Sequence, residues 1–149
     1  MNLLSRRSIL AIAAVVDVAL HSRSAPAAAK PLAARHKLPP RHLEIVLQGL
    51  VHAKILKGVR GPRGGYELAR ERRRITVGEI VRVAMSLSTA DPERLGASSV
   101  LLERVIDPAV RETGEIFLSD LDSITIEQMC ETAEKSYVLD NENVGEFAI

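Results

Sequence analysis

The stretch Val59-Arg60-Gly61-Pro62-Arg63-Gly64-Gly65-Tyr66-Glu67-Leu68 decides the fold of this chain. It joins two short strand-like runs through a loop rich in glycine and proline, which is the pattern of a β-hairpin. The glycines permit positive φ angles and close approach of the backbone to a ligand, while Arg60 and Arg63 project positive charges. Such a loop suits the narrow, electronegative minor groove of DNA. A plain tight hairpin is the structural alternative.

Two helical patterns precede this hairpin. Pro31–His36 predicts a short helix with proline at its first position, and Lys37-Leu38-Pro39 predicts a turn. A second helix is predicted from Pro40 to about Ala53, with an inward stripe of Leu43, Val46, Leu47 and Leu50. Two helices joined by so short a turn predict a helix-turn-helix, and a hairpin directly after it predicts a wing.

The first forty residues allow two interpretations. A helix is expected from Ser5 to Ser22, with Asp17 away from an apolar stripe made of Ile9, Ile12, Ala13, Val16, Ala19 and Leu20. The Arg6-Arg7 pair before an apolar stretch and an alanine-rich segment also resembles a twin-arginine export signal. An ionised Asp17 inside that stretch is costly in an export or membrane segment. We therefore expect a cytoplasmic protein with no membrane association.

The charge of the chain is divided between its halves. Residues 1–74 carry 15 Lys/Arg against 4 Asp/Glu, whereas residues 75–149 carry 5 against 15. A basic half is expected to meet a polyanion, which the acidic half would repel. The alternative is a winged-helix module that binds protein without specific DNA binding, for which the acidic half could serve.

The second half predicts three further elements. Thr76 is expected to cap a helix over 77–85, with Glu79 completing a capping box. After a linker at 86–104, Asp107-Pro108 is expected to cap and open a long helix. That helix places Val110, Gly114, Phe117 and Leu121 on one face, where they are expected to form the dimerisation surface. The expected domains are 1–85 for DNA binding, 105–137 for dimerisation with a last helix at 126–135, and a flexible acidic tail at 138–149.

Candidate DNA contacts cluster at the second helix of the helix-turn-helix. Arg41 and His42 lie where a recognition helix meets base edges, although a solvated helix terminus is a close alternative for His42. Glu44 is expected either to accept from a cytosine amine or to pair with Arg41. Phosphate contacts are expected from Arg6, Arg7, Lys30 and Arg35.

No catalytic or metal-binding constellation is predicted. The four histidines form no His-x-x-x-His or Glu-x-x-His pair, and the glycine-rich loop lacks the Gly-Lys-Ser/Thr ending of a P-loop. The single cysteine, Cys130, is surrounded in sequence by glutamates, which raise a thiol pKa. We expect a buried structural cysteine, no cofactor and no enzymatic activity.

Several segments together resemble the Rrf2 family of winged helix-turn-helix transcriptional regulators. They are Val16–Leu20, Pro40–Glu44, Val59–Arg70, Ile75–Ile80 and Phe117–Ile126. The resemblance implies a mainly α fold with a small β-hairpin wing, a long dimerisation helix and a homodimer on a palindromic operator. It places Arg41, His42 and Glu44 on the recognition helix, and Arg60, Gly61, Arg63, Gly64, Gly65 and Tyr66 on the wing.

One departure from the family concerns cysteine. Cluster-binding members carry three cysteines between the winged domain and the dimerisation helix, whereas the corresponding stretch here, 86–104, has none. An iron–sulfur cluster bound in that manner is therefore not expected. The operator, the target genes, the effector and the sign of regulation are not determined by the sequence.

Overall fold

A computed structural model of the chain describes residues 3–87 and 99–146, with side chains as far as residue 136. Most of the predicted linker, 88–98, and the ends at 1–2 and 147–149 lie outside the described residues. The helices are α1 (Arg6–His21), α2 (Ala29–Arg35), α3 (Pro40–His52), α4 (Val77–Ser86), α5 (Asp107–Asp122) and α6 (Ile126–Glu146). The strands β1 (Leu56–Val59) and β2 (Gly65–Leu68) form an antiparallel hairpin, and Arg72–Arg74 forms a 3₁₀ turn.

Helix α1 lies at the centre of the core, and the face that it buries is not the apolar stripe named from the sequence. Its fully buried apolar residues are Ala11, Ala14, Val15 and Val18, whose small side chains let neighbouring helices approach closely. Of the predicted stripe, Ala19 alone is buried, while Ile9 is 39% exposed and the other four are partly buried. The apolar stripe named from the sequence is therefore not the buried face of α1. The exposed Ile9 and the partly buried Ile12, Val16 and Leu20 instead line an open groove of about 790 Å³ with Met129 of α6.

Asp17 was expected away from the core, yet it is only 7% exposed. Its carboxylate accepts from Arg35 Nε at 2.9 and 3.2 Å and from Arg35 Nη2 at 2.5 Å. The ring nitrogens of His36 and His21 lie 2.9 and 3.0 Å from the same carboxylate. Burial acts to raise the pKa of Asp17, but these bonds and the charge of Arg35 together hold that pKa below 3.8. The carboxylate thus joins α1 to α2.

The helix-turn-helix and the wing form as predicted, with small shifts at the ends. Helix α2 begins at Ala29 rather than Pro31, so the proline is third in the helix, still within the first turn where its missing N–H costs nothing. Helix α3 begins at Pro40 and buries the predicted stripe Leu43, Val46, Leu47 and Leu50. Leu56 pairs with Leu68 and Val59 with Gly65 across the hairpin.

Helix α4 begins with the predicted capping box. Thr76 Oγ1 accepts from the backbone N–H of Glu79 at 3.2 Å, while the Glu79 carboxylate accepts from the Thr76 N–H at 3.0 Å. The same region joins the two halves of the chain. The Val77 N–H donates to Ile124 O and the Ile126 N–H donates to Ile75 O, each at 2.9 Å. Arg82 of α4 also binds the Asp122 carboxylate at 2.6 and 2.9 Å.

The long helix begins earlier than predicted, so Asp107 is not its N-cap. Ser99 Oγ accepts from the Leu102 N–H at 3.2 Å, and helical backbone runs from residue 100 into α5 through a π turn, Leu102–Ile106. The π turn directly precedes Pro108, which lacks an N–H and would press its ring on the carbonyl four residues before it in a regular α-helix. Residues 100–104, expected in the linker, are therefore helical.

The last helix also extends further than predicted. Helix α6 continues to Glu146, through most of the segment expected to be a flexible tail. In the described part of the chain, no helix is both long and apolar enough for a bilayer crossing. The elements described above make the fold mainly helical with one hairpin, as the sequence predicts.

Candidate nucleic-acid interface

The first turn of α3 presents polar side chains on a fixed backbone. Pro39 is extended and Pro40 occupies the first helical position, so the chain enters the helix with its dihedrals preset. Arg41, His42 and Glu44 are all exposed. Glu44 does not pair with Arg41, because its carboxylate accepts from Gln48 Nε2 at 3.4 Å instead.

The arginines of the chain fall into two groups. One group is engaged within the protein: Arg23 and Arg72 with Glu134, Arg70 with Glu79, Arg73 with Glu71, and Arg82 with Asp122. Arg41, Arg60 and Arg63 form no hydrogen bond or ion pair through their side chains with residues 3–87 or 99–136. The exposed amine of Lys30, in the first turn of α2, likewise forms no hydrogen bond or ion pair with those residues. The uncommitted cations therefore include four of the predicted DNA contacts, Lys30, Arg41, Arg60 and Arg63, but not Arg7 or Arg35.

The turn of the wing depends on glycine at specific atoms. Gly61 has φ +115°, a value that side-chain-bearing residues rarely adopt. The Gly64 N–H donates to Gly61 O at 3.0 Å and closes the turn beneath Pro62 and Arg63. Arg60 and Arg63 are consequently held on a short closed loop and are both exposed.

The wing is also attached to the segment before α2. Ala27 and Tyr66 form a two-bond antiparallel bridge, with N–H to O distances of 2.9 and 2.8 Å. A Cβ on Gly65 would lie 2.4 Å from Ala27 O, so only glycine allows this approach. Tyr66, expected at the DNA surface, packs its partly buried ring on the core. Burial raises the pKa of its phenol, and the charge of Glu44 raises it further.

A cleft of about 190 Å³ lies between the start of α1 and the start of α3. Arg6, Arg7 and His42 line it together with Leu10, Leu38, Ile45 and Val46. Arg7 Nη1 also donates to Leu87 O at 2.6 Å, at the end of α4. The structure thus brings His42 together with two of the predicted phosphate-binding arginines. Arg35 does not join them, because its guanidinium is hydrogen-bonded to Asp17, and its role as a phosphate contact stays a prediction.

The predicted dimerisation face of α5 is divided along its length. Gly114 and Phe117 line a cavity of about 340 Å³ with Leu4, Val81 and Leu118 of the same chain. Leu121 packs on the buried Val77, Val81 and Leu118. Val110 is 66% exposed, and four further apolar side chains near it in sequence are also exposed: Leu101, Val105, Ile106 and Ile116. Leu101 lies in the segment that was expected to be a linker, so the sequence did not indicate that it belongs to a helix.

The donor set does not fit a cysteine-ligated cluster. Cys130 is the one cysteine of the sequence, and it is fully buried in the core. Burial raises the pKa of its thiol, the nearby Glu134 and Glu127 raise it further, and Arg72 opposes them. No cluster of three His, Cys, Asp or Glu side chains suited to a metal occurs within the described residues.

Comparison with known proteins agrees with this geometry. The Rrf2 family, described as iron-dependent transcriptional regulators, matches residues 4–132. The chain is 29% identical over 143 residues to the HTH-type transcriptional regulator IscR of Xenorhabdus nematophila, covering 94% of this chain and 86% of the relative. The solved structure of IscR from T. potens has a TM-score of 0.68 at 32% identity, covering 89% of each chain. The cysteine regulator CymR of B. subtilis has a TM-score of 0.64 at 27% identity, covering 89% of this chain and 98% of that one.

Proposed function

Because the chain belongs to the Rrf2 family of DNA-binding transcriptional regulators, we propose that it acts as a cytoplasmic homodimeric repressor on a palindromic operator, without an iron–sulfur cluster. The contrast between its arginines carries the proposal. Arg41, Arg60 and Arg63 have no counter-ion among the described residues, although most other arginines of the basic half do. Unpaired cations on a recognition helix and a wing are suited to the phosphates and base edges of DNA.

Arg41 of α3 and Arg63 of the wing are assigned different roles in DNA binding. Arg41, at the start of α3, reaches base edges and can bind guanine through two hydrogen bonds. Arg63, at the closed turn of the wing, follows groove shape and phosphate charge, which all sequences share. Arg6 and Lys30 contribute phosphate contacts that position the protein on the duplex. Occupation of an operator that overlaps a promoter then prevents transcription.

Homodimerisation is supported by the apolar surfaces that one chain leaves open. Val105, Ile106 and Val110 are exposed apolar residues at the start of the long helix. The groove between α1 and α6 is lined by aliphatic side chains together with Asp17, His21, Arg35 and His36. Two such surfaces on one soluble chain are unusual and indicate contact with a second copy. A two-fold dimer presents two recognition helices to half-sites one helical turn apart.

The assignment is tested by titrating two variants against DNA at several salt concentrations. The first duplex is selected by the full-length protein from a random library. The second is a scrambled duplex of the same composition. Arg63→Ala is expected to weaken binding to both duplexes and to reduce the salt slope by about one unit. Arg41→Ala is expected to cost about 1–3 kcal/mol on the selected duplex alone.

Arg111→Ala, which removes an exposed arginine of α5, is the matched control and should change neither affinity. Equal weakening of both duplexes by Arg41→Ala would assign that residue to phosphate positioning. If no duplex is selected, or neither variant affects binding, the chain functions as a protein-interaction module instead.

A further inference from the structure

The outward face of the recognition helix carries an aliphatic side chain. Ile45 is 50% exposed, while the buried stripe Leu43, Val46, Leu47 and Leu50 faces the core. Ile45 lies one helical turn after Arg41 and one turn before Gln48, so the three residues share the solvent-facing side of α3. A large apolar group thus lies in the row of residues that would meet base edges.

The surroundings of Ile45 indicate the chemistry of its partner. Ile45 lines the cleft with the aliphatic side chains of Leu10, Leu38 and Val46, and with the cationic or polar side chains of Arg6, Arg7 and His42. A cleft of this composition suits a small apolar group that lies next to negative charge. In duplex DNA the C5-methyl group of thymine is the apolar feature of the major groove, and phosphates border that groove.

We propose that Ile45 is a specificity-determining residue that contacts the C5-methyl group of a thymine in each half-site. The inference rests on the proposed function, because it requires α3 to lie in the major groove. Arg41 and Ile45 are separated by one helical turn, about 5.4 Å along the axis, so Ile45 reads a base pair beyond the one that Arg41 contacts. Arg6 binds a phosphate at the border of the groove on the same side.

The test removes the methyl group without changing any hydrogen-bonding atom. In the duplex selected from a random library, each thymine is replaced in turn by deoxyuridine, which lacks only the C5-methyl. Affinity is measured for the full-length protein, for Ile45→Ala and for Gln48→Ala. Burial of one methyl-sized group corresponds to about a fourfold change in affinity at each half-site.

For the unaltered protein, one thymine position in each half-site is expected to lose about fourfold in affinity on removal of its methyl. Ile45→Ala should bind the thymine and deoxyuridine duplexes equally, whereas Gln48→Ala should retain the difference. If no position responds to the methyl, or if the response persists in Ile45→Ala, the inference is overturned. If the unaltered protein selects no duplex from the library, the proposed function fails. That outcome is observed before any methyl group is tested, so the two failures are distinguishable.

Discussion

The carboxylate of Asp17 in α1 accepts two hydrogen bonds from the guanidinium Nε and Nη2 of Arg35 in α2, and a third from the ring of His36. This contact fixes the first helix of the helix-turn-helix against the centre of the core. Both α1 and α2 therefore depend on an ionised group that is almost fully buried.

Replacing Asp17 with asparagine is expected to lower the free energy of unfolding by about 1–3 kcal/mol at pH 7, because bonds to an ionised acceptor are lost. The pKa of Asp17 in the folded chain lies below 3.8, so the stabilisation is present above that pH and is lost as pH falls through the folded value. Urea unfolding at pH 7, 5, 4 and 3 should show the two proteins converging at the acid end.

Asp120→Asn is the control for that series, since the exposed Asp120 carboxylate forms no hydrogen bond or ion pair within the described residues. It should leave stability nearly unchanged at every pH. A constant difference between the original protein and Asp17→Asn down to pH 3 would contradict a role for the ionised carboxylate.

Gly65→Ala is expected to detach the wing from the segment before α2. The added Cβ would lie 2.4 and 2.6 Å from the O and C atoms of Ala27, both in the backbone, so the bridge to Tyr66 must shift. The expected cost is about 1–3 kcal/mol. The Tyr66 amide, which donates to Ala27 O, should lose protection from hydrogen exchange. Gly58→Ala is the matched control, because a Cβ there has no neighbour within 4 Å.

Val110→Glu is expected to give a folded monomer. Val110 is 66% exposed in the single chain, so a charge there is tolerated by the fold, while burial of that charge between two chains costs several kcal/mol. Sedimentation velocity reports the assembly and circular dichroism the fold. Phe117→Glu should instead reduce stability, since Phe117 lines a cavity within its own chain. A Val110→Glu protein that sediments as a dimer would exclude this surface.

Cys130 is expected to react slowly with thiol reagents in the folded protein. Burial and the nearby Glu134 raise the pKa of its thiol, so the thiolate fraction at pH 8 is lower than for a free cysteine. Its reaction with an aromatic disulfide reagent should accelerate sharply in denaturing urea. Equal rates in the two conditions would show that the thiol is accessible.

The local elements could be predicted from sequence because their signals are local. The capping box of Thr76 and Glu79, the prolines at the start of α3 and the turn between Gly61 and Gly64 each act within a few residues. Arg41, His42 and Arg63 were identified as candidates from their positions on those elements. Ile45 was not predicted as a functional residue, because the sequence does not show whether an aliphatic side chain beside a buried stripe is covered.

The sequence by itself determined the helix-turn-helix, the hairpin and the division of charge between the two halves of the chain, since propensity, capping and composition are properties of neighbouring residues. Only the tertiary structure decided which face of α1 is buried, because both faces are apolar and the alanine face allows closer packing. It also decided that Asp17 is buried, since the arginine that compensates the charge lies 18 residues away. Both outcomes depend on contacts between residues that are distant in sequence, and such contacts leave no periodic pattern in the sequence.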